Sequence, residues 1–281
     1  MIRTRLIVGT ILAIAAGGIL IGDDYLSGRF PFPCLFVCLL ALGVLAGREI
    51  TRLIPEPFRP SDCLVVTGTL LCIAANWAPA VFPTLTVWPL LVFTLTATLM
   101  LAMLLEMHRY TGDHGHIVPR LGTTLLAVAY LGVLPCFFAQ IRFLPREHTA
   151  LLLALTIFVP KGNDIAAFFT GTFLGRHKMT PLLSPKKTWE GFAGGMTGGV
   201  LVAVGISFAV PVFAGGVLEA VGFGLAVGLA GVLGDLAESL IKRDCQMKDA
   251  SKSIPGFGGL LDVVDSVLFA APIAYLWFGW N

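Results

Sequence analysis

The sequence predicts an all-α integral membrane protein of about nine transmembrane helices, with its N-terminus in the cytoplasm and a polar cavity at the cytoplasmic side. Three observations predict it. Hydrophobic residues make up 56% of the 281 and charged residues only 13%, with a mean hydropathy of +0.86; soluble domains carry about 25% charged residues. Apolar runs long enough for about 30 Å of hydrocarbon recur along the whole chain. Lysine and arginine gather in alternate connections, and cytoplasmic loops carry that excess. No soluble domain or internal repeat interrupts the runs, so residues 1–281 read as one polytopic membrane domain.

The first run, 6–22, follows Arg3 and Arg5 and reads as a spanning helix rather than a cleaved signal peptide. The second, 31–46, carries Cys34 and Cys38 on one face, four residues apart. The stretch Gly47 to Asp62 mixes charges with prolines and is expected to form a short interfacial helix and turn. Runs at 63–81 and 87–105 follow. The segment His108 to Arg120, with His108, His114 and His116, reads as a solvated loop. The next spans are 121–139 and 149–173. Residues 1–120 thus supply helices but no recognisable site. The six cysteines form no CxxC pair and read as small buried hydrophobes. A net charge of +2 gives no reason to expect a nucleic-acid partner.

Residues 150–281 hold the chemistry. The sixth run contains Lys161, Asn163 and Asp164 beside Pro160 and Gly162. A charge at the centre of a spanning helix costs about 2.5–3.5 kcal/mol on insertion scales, so such residues are functional candidates, although a structural Lys161–Asp164 pair would also explain them. A cationic stretch follows, with Arg176, Lys178, Lys186 and Lys187; Ser184-Pro185 is expected to turn there, with Ser184 capping the next helix. The last spans are 191–213, 217–240 and 260–280. With the N-terminus inside, fifteen Lys and Arg fall in cytoplasmic segments against three outside (Arg29, Arg142 and Arg146).

Of the 19 Lys and Arg and 17 Asp and Glu, ten lie between Asp235 and Asp265. Helical spacing puts Asp235, Glu238, Ser239 and Lys242 on one face, and Asp262, Asp265 and Ser266 on another. A cationic loop with Lys242, Arg243, Lys248 and Lys252 joins them and ends in Pro255-Gly256-Phe257-Gly258-Gly259, where glycines let backbone approach a ligand. Carboxylates from two helix ends plus several cations suit phosphoryl or nucleotidyl transfer. Mg²⁺ takes one or two carboxylates plus substrate phosphates, and Lys and Arg neutralise the other phosphate oxygens. No GxxxxGK[ST] or GxGxxG pattern is present, and no Ser-His-Asp arrangement. Acyl transfer and redox chemistry are therefore disfavoured. A transporter is the rival class, motivated by Lys161 and Asp164 within a span; the absence of paired broken helices in two halves argues against it.

The run Ser239-x-x-Lys242-Arg243-x4-Lys248-Asp249-x4-Ile254-Pro255-Gly256-x-Gly258-Gly259-Leu260-x-Asp262-x-x-Asp265 resembles the signature of phosphatidate cytidylyltransferases. A second block resembles theirs too: Ser184-Pro185-Lys186-Lys187-Thr188-Trp189-Glu190-Gly191, after Asp164 and Phe173-Leu174-Gly175-Arg176. The resemblance covers about residues 150–281. It implies a polytopic, dimeric, Mg²⁺-dependent enzyme in the cytoplasmic membrane. Such an enzyme joins CTP and phosphatidic acid into CDP-diacylglycerol and pyrophosphate, with its active site facing the cytoplasm. By the same resemblance Asp235 and Asp262 are the metal ligands, with room for a second metal ion. Lys242, Arg243, Lys248, Asp249 and Asp265 are implied as catalytic polar groups. CTP or lipid phosphate would then be held by Asp164, Arg176, Ser184, Lys186, Lys187, Thr188, Glu190, Ser239, Lys252, Gly258 and Gly259. The sequence departs at Phe257, where the family has His, and at Val263, where it has Arg. These departures motivate two variants of the expectation: a CTP-dependent enzyme acting on another lipid phosphate or alcohol, and an inactive lipid-binding relative.

Overall fold

The computed structural model describes every residue except 1, 29, 113, 114, 252 and 281, and describes 2–6 without their side chains. His114, Arg29 and Lys252 therefore lie outside the described residues. The helices are α1 (Ile2–Leu26), α2 (Pro33–Leu53), α3 (Asp62–Ala75), α4 (Ala78–Val81), α5 (Val87–Arg109), α6 (Ile117–Val128) and α7 (Leu134–Arg142), then α8 (Thr149–Phe173), α9 (Trp189–Ala209), α10 (Gly216–Asp244) and α11 (Leu261–Trp280). A two-stranded hairpin, β1 (Lys178–Thr180) and β2 (Ser184–Thr188), separates α8 from α9. Eight helical stretches among the described residues are long and apolar enough to cross a membrane. The chain divides into two compact units, one of residues 1–139 and 249–261, the other of 140–248 and 262–281.

In the first unit α3 lies at the centre, with Val65, Thr69, Cys72 and Ile73 fully buried against α2, α5 and the α6 end. The apolar run read as a span at 63–81 breaks after Ala75, where Asn76 caps α3, and resumes only as the four-residue α4 with Pro79 in its first turn. Fourteen residues reach about 21 Å, less than the hydrocarbon thickness. The stretch expected as an interfacial helix after Gly47 instead continues α2 to Leu53. Between α6 and α7 a π-turn (Ala129–Val133) precedes Pro135, whose ring cannot fit an ordinary helical turn. Buried carboxylates fix three connections. Asp23 accepts from the amides of Cys34 at 2.7 Å and Leu35 at 3.1 Å, capping α2. Glu106 accepts from Arg120, which also donates to the Pro57 carbonyl. Glu49 accepts from Ser251 Oγ at 2.7 Å and from the amides of Leu260 and Leu261. A side chain at Gly259 would sit 2.7 Å from Glu49 Oε2.

In the second unit α9 packs along α8 and α10. Small residues let the backbones approach, which is how helices associate where lipid is as apolar as leucine. A Cβ at Gly162 would lie 2.6 Å from Val202, one at Gly224 2.7 Å from the Val200 Cα, and one at Gly231 2.7 Å from Pro160. Asn163, buried in α8, donates to the Gly228 carbonyl of α10 at 2.9 Å. The hairpin corrects the expectation for Ser184. That residue begins β2, opposite Thr180, and the cap of α9 is Thr188, whose Oγ1 accepts from the Gly191 amide at 3.1 Å. The Lys186–Lys187 pair therefore sits on an extended strand, where alternate side chains point to opposite faces.

Candidate active site

Four elements of the second unit bring their polar residues together: α8, β2, α10 and α11. Helix α10 has 29 residues, and Asp235 stands about 28 Å along it from Gly216. A helix long and apolar enough to cross a membrane thus carries its polar face close to the end opposite its start. Glu238 is fully buried and Asp265 is 6% exposed. One carboxylate oxygen each from Asp235, Glu238 and Asp265 lie within 4.8 Å of one another.

Three lysines surround this acidic group. Lys242 Nζ is 2.5 Å from Asp262 Oδ1 and pairs with Glu238 Oε2 one helical turn back. Lys187 reaches from β2 to Asp235 Oδ2 at 2.7 Å. Lys161 donates to Ser266 Oγ at 2.8 Å and to Asp164 Oδ2 at 3.3 Å, and lies 3.9 Å from Asp265 Oδ1. Ser266 Oγ in turn donates to Asp164 Oδ2 at 3.0 Å, and its amide donates to Asp265 Oδ1 at 2.6 Å. Ser239 Oγ donates to Asp235 Oδ1 at 3.4 Å. Each carboxylate thus has a cationic or hydroxyl neighbour, as charges withdrawn from water require.

Glu238 Oε1 is the exception: it is buried and accepts no hydrogen bond among the described residues. A solvent-free carboxylate oxygen without a donor is costly. Beside two further carboxylates it makes an all-oxygen donor set, the kind that suits a hard divalent cation. The residues present therefore fit such an ion. The group comprises Asp235, Glu238 and Asp265, whereas Asp262 is engaged by Lys242. At Cys245, just past α10, desolvation and then Asp244 raise the thiol's pKa, which disfavours the thiolate.

The other expected site residues are distributed as follows. Arg176 and Lys186 are exposed on the hairpin segment. Glu190 accepts from the amides of Arg176 and His177 and from the His177 ring, so it holds the start of the hairpin. Thr188 is buried as the cap of α9. Arg243 donates to the Leu183 carbonyl at 3.3 Å, which ties α10 to the hairpin turn. Lys248 is exposed. Asp249, Gly258 and Gly259 belong to the first unit, where Gly256 and Gly258 adopt positive φ of 86° and 115°. Phe257 there faces Gly9 of α1.

Sequence reasoning placed Glu238 on the right face of α10 without selecting it as a ligand. Lys161 and Ser266 were visible as polar residues within spans, but their pairing joins positions 105 residues apart. Glu49 carried no local pattern at all, since its partners lie 202 to 212 residues away.

A family model described as "Cytidylyltransferase family" matches residues 3–280. A phosphatidate cytidylyltransferase of Chlamydia pneumoniae is 34% identical over 164 residues, covering 55% of this chain and 53% of that protein. One of Staphylococcus aureus (strain COL) is 37% identical over 149 residues, covering 53% and 55%. The uncharacterized protein YnbB of Escherichia coli K12 is 39% identical over 127 residues, covering 45% and 42%. The chain spans about half the length of these curated relatives.

Proposed function

Because the chain belongs to the cytidylyltransferase family, we propose that it is a phosphatidate cytidylyltransferase of the cytoplasmic membrane: it joins CTP and phosphatidic acid into CDP-diacylglycerol and releases pyrophosphate. The observation that carries this reading is the acidic group of half-buried Asp235 and buried Glu238 and Asp265, ringed by Lys161, Lys187 and Lys242. Carboxylates of this kind hold a divalent cation, here Mg²⁺, and cations around it take phosphate oxygens. Two curated relatives named for this activity support the choice of substrates.

In the proposed reaction an oxygen of the lipid phosphate attacks the α-phosphorus of CTP. The bond between the α-phosphorus and the α,β-bridging oxygen breaks, and pyrophosphate leaves with that oxygen. The attacking phosphate is already anionic near neutral pH, so no strong base is needed. Mg²⁺ held by this acidic group would neutralise charge on the reacting phosphates. Lys187 and Lys242 each sit on a carboxylate at the group's edge, so an arriving triphosphate finds its counter-charges already positioned. Lys186, exposed on the same strand, is the candidate to meet the outer phosphates. Orientation with the hairpin towards the cytoplasm, and assembly as a homodimer, complete the proposal.

The test supplies purified protein in detergent or nanodiscs with labelled CTP, Mg²⁺ and phosphatidic acid, and follows label into the lipid phase. Formation of lipid-linked CMP with stoichiometric pyrophosphate is expected. No product, under conditions where a known cytidylyltransferase works, would overturn the reading. Product only with another lipid phosphate or a lipid alcohol would replace its substrate, the outcome that Phe257 and Val263 make worth measuring.

A further inference from the structure

Lys161 is unlike the other two lysines of the site. Lys187 and Lys242 approach from the membrane edge, on β2 and at the last turn of α10. Lys161 lies in the middle of α8, one residue after Pro160, where an ammonium group is expensive unless it has a task. Its three oxygen neighbours are Asp164 Oδ2, Ser266 Oγ and Asp265 Oδ1. That is a cation seated among oxygens, and one of those residues, Asp265, belongs to the group that would hold the divalent ion.

A charge count gives the consequence. Five carboxylates meet in this cluster (Asp164, Asp235, Glu238, Asp262 and Asp265), and three lysines answer them. Fully ionised, as a bound cation would hold them, the five carboxylates against three lysines leave a deficit that one divalent cation cancels. Without Lys161 the deficit grows by one, and the oxygens of Asp164, Ser266 and Asp265 become a vacant seat for another cation. We propose that Lys161 is a built-in cation of the site: its ammonium group occupies a second cation position and limits the acidic group to one divalent ion. The inference rests on the reading that the acidic group binds a divalent cation.

The experiment measures Mn²⁺ binding by electron paramagnetic resonance on purified wild-type protein and on Lys161→Met, Lys161→Arg and the double variant Lys161→Met with Asp164→Asn, without substrates. Wild type should bind one Mn²⁺. Lys161→Met should bind a second, or bind the first about tenfold more tightly or better. Lys161→Arg and the charge-restoring double variant should return to the wild-type stoichiometry. If Lys161→Met yields no folded protein, Asp164→Asn alone decides, because a surplus positive charge should then weaken Mn²⁺ binding by about tenfold. Wild-type binding with unaltered stoichiometry and affinity in the variants overturns the role of Lys161 alone. Mn²⁺ binding lost in Lys161→Met also overturns it, since Lys161 would then be holding the ligands rather than replacing an ion. Wild type that binds no Mn²⁺ overturns the metal reading, and this inference with it.

Discussion

The side chain on which the site turns is Glu238. It is fully buried, it pairs with Lys242 on one oxygen, and its other oxygen has no donor. Replacing it with glutamine keeps the volume and removes the charge. Glu238→Gln and Asp235→Asn should each lower turnover by about 10²-fold or more while the melting temperature stays near wild type. Turnover from labelled CTP, set beside a thermal-shift measurement, checks this; near-normal activity in either variant would refute its place in the metal group. Asp262→Asn should also inactivate, by a separate route: Lys242 loses its 2.5 Å partner and is left with Glu238 alone. Lys186 is exposed and touches none of these carboxylates, so Lys186→Ala should raise KM for CTP with kcat little changed. An unaltered KM would remove it from the phosphate site. At this scale the sequence was informative where spacing is local. Asp235, Glu238, Ser239 and Lys242 share a helix face because residues three and four apart must. It was silent on Glu49 and its Ser251 and Leu261 partners, because no local period connects residues from opposite ends of the chain.

At the scale of elements, the apolar runs located the helices well, since a spanning helix needs many consecutive apolar residues and little else competes for that pattern. Among the stretches the sequence misjudged, two were decided by other physics. Helix α3 stops at Ala75 with Asn76 as its cap, and the 176–188 stretch pairs as a hairpin instead of turning into a capped helix. The element that positions Asp265 is the contact of α10 with α11 at Gly234, where a Cβ would lie 2.5 Å from the Asp265 carbonyl oxygen. Even Gly234→Ala should therefore push α11 away and cost about 1–3 kcal/mol of stability, with a loss of kcat larger than the fall in melting temperature accounts for. Leu233→Ala, one residue earlier and facing outward, is the control that should leave kcat intact. Thr188→Ala removes the cap of α9 and should cost about 1 kcal/mol, read as a lower melting temperature with KM for CTP raised through the neighbouring Lys187.

At the scale of the molecule, helix direction places the working parts of the second unit on one side. Helix α8 ends at the hairpin, α9 runs away from it, and α10, which like α9 is long and apolar enough to cross a membrane, returns to end beside the hairpin, as the Lys187–Asp235 and Arg243–Leu183 contacts record. The turn between α9 and α10, around Ala214, is then at the opposite face. The proposed orientation puts the hairpin end in the cytoplasm, as the Lys and Arg bias would have it, because Arg176, Lys178, Lys186, Lys187, Lys242, Arg243 and Lys248 all sit at that end. CTP is soluble and cytoplasmic, so the proposed reaction demands the same orientation. Single cysteines at 186, 248 and 214 in a cysteine-free background, probed with a membrane-impermeant maleimide, test both together. Inside-out vesicles should label positions 186 and 248 and spare 214, and right-side-out vesicles should do the reverse. The opposite pattern would put the acidic group on the side without CTP, and no arrangement of its lysines and carboxylates would then sustain the proposed reaction.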